Sequence, residues 1–288
     1  MAYSIHSSQR HLKWDNSLQP IFQIKSGDIV SFDCLDASNG QIQPETTVAG
    51  LHSLKFDTLD PVFGPVFIES AEPGDTLQVE VLEVETAQWG WSAIFPGFGI
   101  LHEDFPEYHL KIWDLSPKAL TVDADGRKWA WFDEAKGIKI PLRPFPGEMG
   151  IAPGKNGPHS TIPPYRTGGN LDVRHLCKGA KLYLPVEVKG ALYSMGLTQT
   201  TASRTEVCGT AIETPIKAKV RLTVIKEKKV DDPHFFTPPD WNDPGGYYCT
   251  TGIGSGRHAK LRHRSDDAAI NLWSLERTDL SWRSVGVP

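Results

Sequence analysis

The sequence lacks the features that mark several large classes of protein. No apolar run approaches the roughly 20 residues that a membrane helix needs, and the opening segment, MAYSIHSSQRHLKW, has no apolar stretch like that of a secretory signal. Lys and Arg number 30 against 35 Asp and Glu, so the net charge is -5 and the basic excess typical of nucleic-acid binding is missing. We therefore expect a cytoplasmic protein that has neither a membrane nor a nucleic acid as its partner.

Cysteine and histidine occur without the spacings that hold metals. The four cysteines form no CxxC pair, which argues against a zinc ribbon and a disulfide framework, so reduced and mostly buried thiols are expected. The ten histidines include no HxH, HxxxH or HExxH motif. The nucleophile motifs GxSxG and SxxK are missing as well. No standard zinc or serine-hydrolase signature is therefore encoded.

Helical periodicity is also scarce, whereas turn residues are abundant. The chain has 288 residues with 26 Gly and 22 Pro, which favours many short strands in one compact unit. Alternating apolar residues predict strands at 76–86, 181–188 and 216–225, and a hairpin is expected within 21–32. The remaining predicted features are a short helix over 171–176, another over 266–273, and long Pro/Gly loops at 95–99, 141–158 and 233–246. The fold class is mainly β.

Two polar segments contain acids that could transfer protons. The segment DCLDASNGQI (33–42) follows a predicted strand and contains Asp33 and Asp36, which could serve metal binding or proton transfer. An Asx-rich turn explains the same letters. The segment FPGEMGIAPG (145–154) contains one acid, Glu148, in apolar surroundings. Burial would raise the pKa of Glu148 and suit it to proton transfer near neutral pH, unless the side chain faces water.

Two further segments combine glycines with polar groups. In GGNLD (168–172), paired glycines allow a close backbone approach to a ligand, and Asn170 and Asp172 offer an amide and a carboxylate. A helix N-cap is the alternative explanation. In residues 190–213, small side chains indicate a tightly packed strand pair, where Glu206 and Glu213 are the groups available for charge chemistry.

Taken in this order, these segments resemble the acetamidase/formamidase family. The resemblance rests on DCLDASNGQI (33–42), FGPVFIESAEPGDTLQVEVLEV (63–84), FPGEMGIAPG (145–154), GGNLD (168–172), LYLPVEVKGALYSMG (182–196), EVCGTAIETP (206–215) and GGYYCTTGIG (245–254). It covers about residues 1–254, which we expect to form one family-like domain, followed by a divergent and poorly ordered tail over 255–288. The fold that it implies is a jelly-roll-like β-sandwich or barrel with long Pro/Gly loops and few short helices.

The resemblance also implies an activity and a set of site residues. It implies a hydrolase that cleaves formamide or a short aliphatic amide to ammonia and the carboxylic acid, as a homo-oligomer and with a weakly bound divalent metal, zinc or calcium. The expected catalytic residues are Glu148, Asp36 and Glu206; the substrate-binding residues are Asn170, Gly169 and His159; and the metal ligands are Asp172 and Asp36. Asn170 is expected to donate a hydrogen bond to the developing oxyanion. The acids and Asn170 should converge in one pocket.

One departure from the family pattern affects the expected activity. Family members continue after the GALxSxG strand with Gly-Asp-x-His-x-x-Gln-Gly, whereas this chain has Leu197 and Gln199 in place of the acid and the imidazole. Either the chain is a catalytically impaired paralogue with a binding or oligomer-forming role, or a one-nucleotide frame shift has altered this segment. A third alternative is a jelly-roll carbohydrate binder that uses some of the nine tryptophans. The loss of two ligand types predicts substoichiometric zinc.

Overall fold

The computed structural model describes residues 3–201, 207–239, 246–255, 273–278 and 281–285. Strands dominate these ranges, and the two helices are a single turn each. In chain order the elements are β1 Tyr3–Ile5, β2 Arg10–His11, β3 Lys13–Trp14, β4 Phe22–Ile24, β5 Ile29–Cys34, α1 Val48–Leu51, the 3-10 helix Phe56–Thr58, β6 Val62–Ile68, β7 Thr76–Thr86, β8 Trp89–Ile94, β9 His109–Asp114, β10 Thr121–Val122, β11 Lys128–Asp133, β12 Ile138–Ile151, β13 His159–Ser160, β14 Pro164–Tyr165, β15 Gly168–Asn170, β16 Lys181–Pro185, β17 Tyr193–Thr201, β18 Ile216–Ile225, β19 His234–Thr237, β20 Tyr247–Ser255, β21 Trp273–Thr278 and β22 Ser281–Val285.

Two large sheets contain most of the strands in the described ranges. The first sheet has the order β1-β5-β18-β7-β16-β19-β20-β21-β22. The second has the order β10-β11-β12-β17-β6-β2, with β15 on β12, β14 on β15 and β4 on β6. The pairs β3–β13 and β8–β9 form small ribbons. The expectation of a mainly β chain is confirmed.

The core lies between the two large sheets because both turn an apolar face inward. Alternate residues of β7 and β18 are buried, including Val79 and Val220, while their neighbours point outward. Phe63, Tyr193 and Met149 of the second sheet join the same cluster. A shared core between two sheets is a β-sandwich, as the resemblance implied. The predicted strands at 76–86 and 216–225 agree with β7 and β18.

Three local predictions are wrong, and tertiary contacts explain each. No hairpin forms within 21–32, because β4 pairs with β6 in the second sheet while β5 pairs with β1 and β18 in the first. No helix forms over 171–176, since Asp172 has φ +47° and the amides of Leu171 and Asp172 donate to Gly147 O. The 141–158 segment is mostly strand β12, which buries Phe145 and Met149 in the core.

Other predictions fall partly outside the described ranges. The predicted helix over 266–273 lies there except for Trp273, which begins β21. Within 233–246, the structure places strand β19 and leaves 240–245 undescribed. From the tail after 254, β21 and β22 extend the first sheet beside β20. None of the helices in the described ranges is long or apolar enough to cross a bilayer.

Candidate functional site

The candidate site lies on the outer face of the second sheet, opposite the core. Tyr193 and Met195 of β17 point into the core, so the intervening Ser194 and Gly196 point outward. Gly196 pairs with Glu148 of β12 on one side and with Val62 of β6 on the other. Glu148 in turn pairs with Asn170 of β15. These antiparallel pairings bring residues from distant segments onto one surface.

Glu148 is the central group of this surface. Its side chain is 0% exposed, and neither carboxylate oxygen has a hydrogen-bond partner among the residues that the structure describes. Burial raises the pKa of Glu148 well above the usual value, and the carboxylates of Asp60 and Asp172 raise it further. The prediction of a buried acid with a raised pKa is therefore supported by the geometry. The raised pKa favours the protonated carboxylic acid, which is a proton donor.

Gly196 allows Glu148 to occupy this position. A Cβ atom on Gly196 would lie 2.3 Å from Pro61 O and 3.1 Å from Glu148 Oε2. A larger residue at 196 would therefore push against the carboxylate and against the backbone that precedes β6. The glycine in the SMG segment leaves the space that the carboxylate uses.

Asp60 is a member of the site that the sequence analysis missed. Its backbone lies in the left-handed region with φ +52°, and its amide donates to Ala37 O. Burial, together with the charge of Asp36, raises the pKa of Asp60 to about 7. An Asp in a loop before a strand carries no sequence signal for this environment, because the burial comes from residues remote in the chain.

Asp36 lies beside Asp60 and is held by two donors. Its side chain is 1% exposed, and Oδ1 accepts hydrogen bonds from Trp91 Nε1 at 2.9 Å and from Ser38 N at 2.8 Å. The bond from Ser38 is the Asx turn that was the alternative explanation for this segment. The turn is therefore present, with the Asp36 carboxylate next to Asp60, and a role of Asp36 in metal binding or proton transfer stays a prediction.

Asn170 presents an acceptor that the expectation did not include. Its Nδ2 donates one of its two N–H groups to Ile162 O at 3.0 Å. Its Oδ1 is buried and has no partner in the described part of the chain, so it can accept a hydrogen bond from a substrate N–H group. The expected hydrogen bond from Asn170 to an oxyanion stays a prediction.

Trp14 covers the glycines next to Glu148 and Asn170. Cβ atoms built on Gly150 and Gly169 would lie 2.8 Å from Trp14 Cη2 and 3.3 Å from Trp14 Nε1, respectively. The indole is buried, and its N–H group has no acceptor within the described ranges. Gly169 thus allows the indole to approach closely, and Trp14 supplies a free donor beside Gly169.

The remaining predicted site residues lie in different places. Asp172 lies two residues beyond Asn170 and close enough to Glu148 to raise its pKa. His159 pairs with Trp14 across the β3–β13 ribbon, and its Nε2 donates to Lys155 O at 2.9 Å. No contact that the structure describes brings His159 to the carboxylates. Glu206 lies outside the described residues, so its predicted role stays a prediction.

The carboxylates do not amount to a recognisable metal site. Among the described residues, no group of three or more His, Cys, Asp or Glu side chains is placed to hold an ion. One oxygen of Asp36 is already engaged by two donors. These residues do not fit the three-ligand set that zinc requires, so no chemistry is assigned to a metal here. The ligand roles of Asp172 and Asp36 stay predictions.

The sequence of this chain matches a known protein family and named members of it. The acetamidase/formamidase family model matches residues 2–159 and 156–272. A formamidase of Methylophilus methylotrophus is 27% identical over 264 residues, which cover 76% of this chain and 65% of that protein. An acetamidase of Mycolicibacterium smegmatis is 24% identical over 65% of this chain and 58% of its own length. The chain therefore spans less than two thirds of these two curated relatives.

The fold of this chain is also similar to those of several solved structures. The crystal structure of an acetamidase from Bacillus halodurans superimposes with a TM-score of 0.73 and 28% identity, over 81% of this chain and 74% of that one. A gamma lactamase from Delftia acidovorans shares the fold with a TM-score of 0.71 and 21% identity, over 82% of this chain and 69% of that one. The sequence match over most of the chain and the common fold lead to one conclusion: the chain belongs to the acetamidase/formamidase family.

Proposed function

We propose that this protein hydrolyses formamide or a short aliphatic amide, and that the reaction takes place at Glu148. The observation that carries the proposal is a fully buried carboxyl group with two unengaged oxygens, as judged within the described residues, which faces Asn170 across a strand pair. Burying such a group without a partner costs stability, so its retention favours a functional role. Relatives named formamidase and acetamidase supply the substrate class.

Amide hydrolysis needs three things that this surface can supply. The departing nitrogen needs a proton, and the raised pKa of Glu148 favours the protonated form that can supply it. The attacking oxygen must lose a proton, and Asp60, with a pKa of about 7, can accept protons at neutral pH. The developing oxyanion needs a donor, for which the free indole N–H group of Trp14 is available. Asn170 Oδ1 can accept from the amide N–H group of the substrate.

The second candidate function is that of a catalytically impaired paralogue that binds a small molecule or forms an oligomer. The observation that favours it is the presence of Leu197 and Gln199 where the family pattern has Asp and His. Under this alternative, the fold and the buried acid are retained while turnover is lost.

The test is ammonia release from formamide, acetamide and propionamide by the purified full chain. We expect release by the wild type and a loss of about 10²- to 10⁴-fold in kcat/KM for Glu148→Gln, because the variant keeps the shape of the side chain but cannot donate an acidic proton. Glu83→Gln is the control, since Glu83 forms a surface ion pair with Lys219 in the first sheet.

Two results would contradict the proposal. The first is a Glu148→Gln variant as active as the wild type, which would move the chemistry elsewhere. The second is a folded wild type that releases no ammonia while the Leu197→Asp, Gln199→His double variant does, which would establish the impaired paralogue.

A further inference from the structure

A serine and a histidine form a hydrogen-bonded pair on the same outer face as Glu148. His11 Nε2 lies 2.9 Å from Ser194 Oγ, although the two residues are 183 positions apart in the chain. His11 is on β2 and Ser194 is on β17, with β6 between them. The contact crosses β6 beside Gly64, where a Cβ atom would lie 2.6 Å from Ser194 Oγ. A side chain at position 64 would therefore crowd the serine.

The direction of this hydrogen bond follows from the other ring nitrogen. His11 Nδ1 lies 2.8 Å from Lys13 O, and a carbonyl oxygen can only accept, so Nδ1 carries the proton. Nε2 then offers a lone pair, and the Ser194 hydroxyl donates to it. Burial lowers the pKa of His11, which favours the neutral ring at pH 7. A hydroxyl group that donates to a base held by a third group is the arrangement of an activated nucleophile.

The pair lies within reach of the groups assigned to amide hydrolysis. Ser194 pairs directly with Gly150, and Glu148 is the diagonal neighbour, at a distance of about 7–8 Å for such positions in an antiparallel pair. Ser194 is 0% exposed, like Glu148. The ring of Trp14 packs edge-on against His11 with centroids 6.0 Å apart, which brings its indole near the same pair. The serine and the acid therefore lie on the same face of two adjacent strands.

We infer that Ser194 is the nucleophile and His11 the general base of this site, so that the reaction passes through an acyl-serine. The inference deepens the proposed function and rests on it for the substrate class. Ser194 Oγ bonds to the amide carbonyl carbon while its proton moves to His11 Nε2. The C–N bond then breaks, and the nitrogen leaves as ammonia with the proton of the Glu148 carboxyl group.

The second half of the reaction restores the enzyme. Water attacks the acyl-serine ester and gives a proton to the Glu148 carboxylate, the C–O bond to Ser194 breaks, and the serine oxygen recovers its proton from His11 Nε2. The products are the carboxylic acid and the free hydroxyl group, so one amide and one water yield one acid and one ammonia, and both His11 and Glu148 return to their starting states.

A purely structural role is the competing explanation, because the same hydrogen bond also ties β2 to β17. The two roles differ in one observable, the covalent acyl group. The probe is p-nitrophenyl acetate added to the full chain, followed by acid quenching and peptide mass spectrometry, with stopped-flow detection of p-nitrophenol. We expect a burst of p-nitrophenol and one acetyl group on the peptide that contains Ser194.

Variants separate the serine from the fold. Ser194→Ala should lose acetylation at that peptide and lower amide kcat by about 10³-fold or more. His11→Gln should slow acylation by about 10²- to 10⁴-fold. Ser194→Cys keeps a nucleophile of similar size and should form a thioester. Ser92→Ala is the matched control, because the Ser92 hydroxyl also takes part in a part-buried hydrogen bond between side chains, with Trp113 Nε1 as donor at 3.0 Å, in a separate ribbon.

The outcomes distinguish this inference from the proposed function. If the wild type releases ammonia but carries no acyl group on Ser194, or if Ser194→Ala remains as active, the serine is not the nucleophile while the amidase proposal stands. If Ser194 is acetylated in a His11-dependent manner but no amide is cleaved, the pair stands and the amidase proposal fails. If neither reaction occurs, both are overturned. The wild-type labelling decides the matter even if Ser194→Ala does not fold.

Discussion

At the scale of single residues, the candidate site consists of acids held where ionisation is unfavourable. Glu148 and Asp60 both have raised pKa values, with burial as the main cause and neighbouring carboxylates as the second. Each raised pKa means that the folded chain binds a proton that the unfolded chain has already released. The free energy of unfolding must therefore fall as the pH rises from the pKa values of these acids in the unfolded chain to their pKa values in the folded chain.

Asp60→Asn tests this linkage. The wild-type side chain has a pKa of about 7 when folded and its usual 3.8 when unfolded, so the stabilising protonated state is complete below pH 3.8 and lost as the pH approaches 7. This difference of about 3 pH units corresponds to about 4 kcal/mol. We expect the variant to equal the wild type near pH 4 and to gain up to about 4 kcal/mol at pH 7.5, as measured by urea unfolding.

The control for this prediction is an exposed acid. Asp114 accepts a hydrogen bond from Ser116 N, and its pKa is lowered, so Asp114→Asn should show no gain at high pH. An Asp60→Asn variant that loses stability at pH 7.5 would contradict the assignment of a raised pKa to Asp60.

At the scale of elements, the site depends on how closely β17 packs against its neighbours. Gly196 faces Glu148 on one side and the segment before β6 on the other. Gly196→Ala would place a methyl group 2.3 Å from Pro61 O. A backbone oxygen cannot move away from this overlap as a flexible side chain could. We expect a loss of about 1–3 kcal/mol in the free energy of unfolding, because the strand must shift to relieve the overlap. Amidase activity should fall with it.

Gly154→Ala is the matched control for the strand prediction. Gly154 also has a backbone conformation open to alanine, but it lies in an exposed loop where the nearest atom to a new Cβ is Glu187 Cβ at 3.2 Å. The exposed loop needs to shift by only a few tenths of an ångström to relieve this contact, so the loss should be under about 0.5 kcal/mol. Equal losses at the two positions would show that close packing of β17 is not the cause.

At the scale of the whole molecule, the metal content is the property to measure. The described residues offer no three-donor group, and the sequence resemblance predicts that Leu197 and Gln199 replace an acid and an imidazole of the family pattern. We expect the purified chain to carry substoichiometric zinc by elemental analysis, because carboxylates alone are poor zinc ligands. The Leu197→Asp, Gln199→His double variant should bind more. One tightly bound zinc per wild-type chain would contradict the expectation.

Local sequence patterns were sufficient for much of the fold. The alternation of apolar and polar residues located β7 and β18, because a strand with one buried face shows a period of two whatever its neighbours are. The same reasoning failed for 141–158, where five prolines indicated a loop but pairing with β17 holds the segment up to Ile151 in a strand. The local composition of a segment does not indicate whether it pairs with a strand that is distant in the chain.

The sequence by itself determined the family, the strands with regular alternation, and the acid in FPGEM as a candidate for proton transfer. Only the tertiary structure decided that Asp60 shares its environment, that Asn170 presents an acceptor, and that His11 meets Ser194. The physical reason is the same in each case. A pKa and a hydrogen-bond partner depend on the atoms within a few ångströms, and in this fold those atoms come from strands that are far apart in the chain.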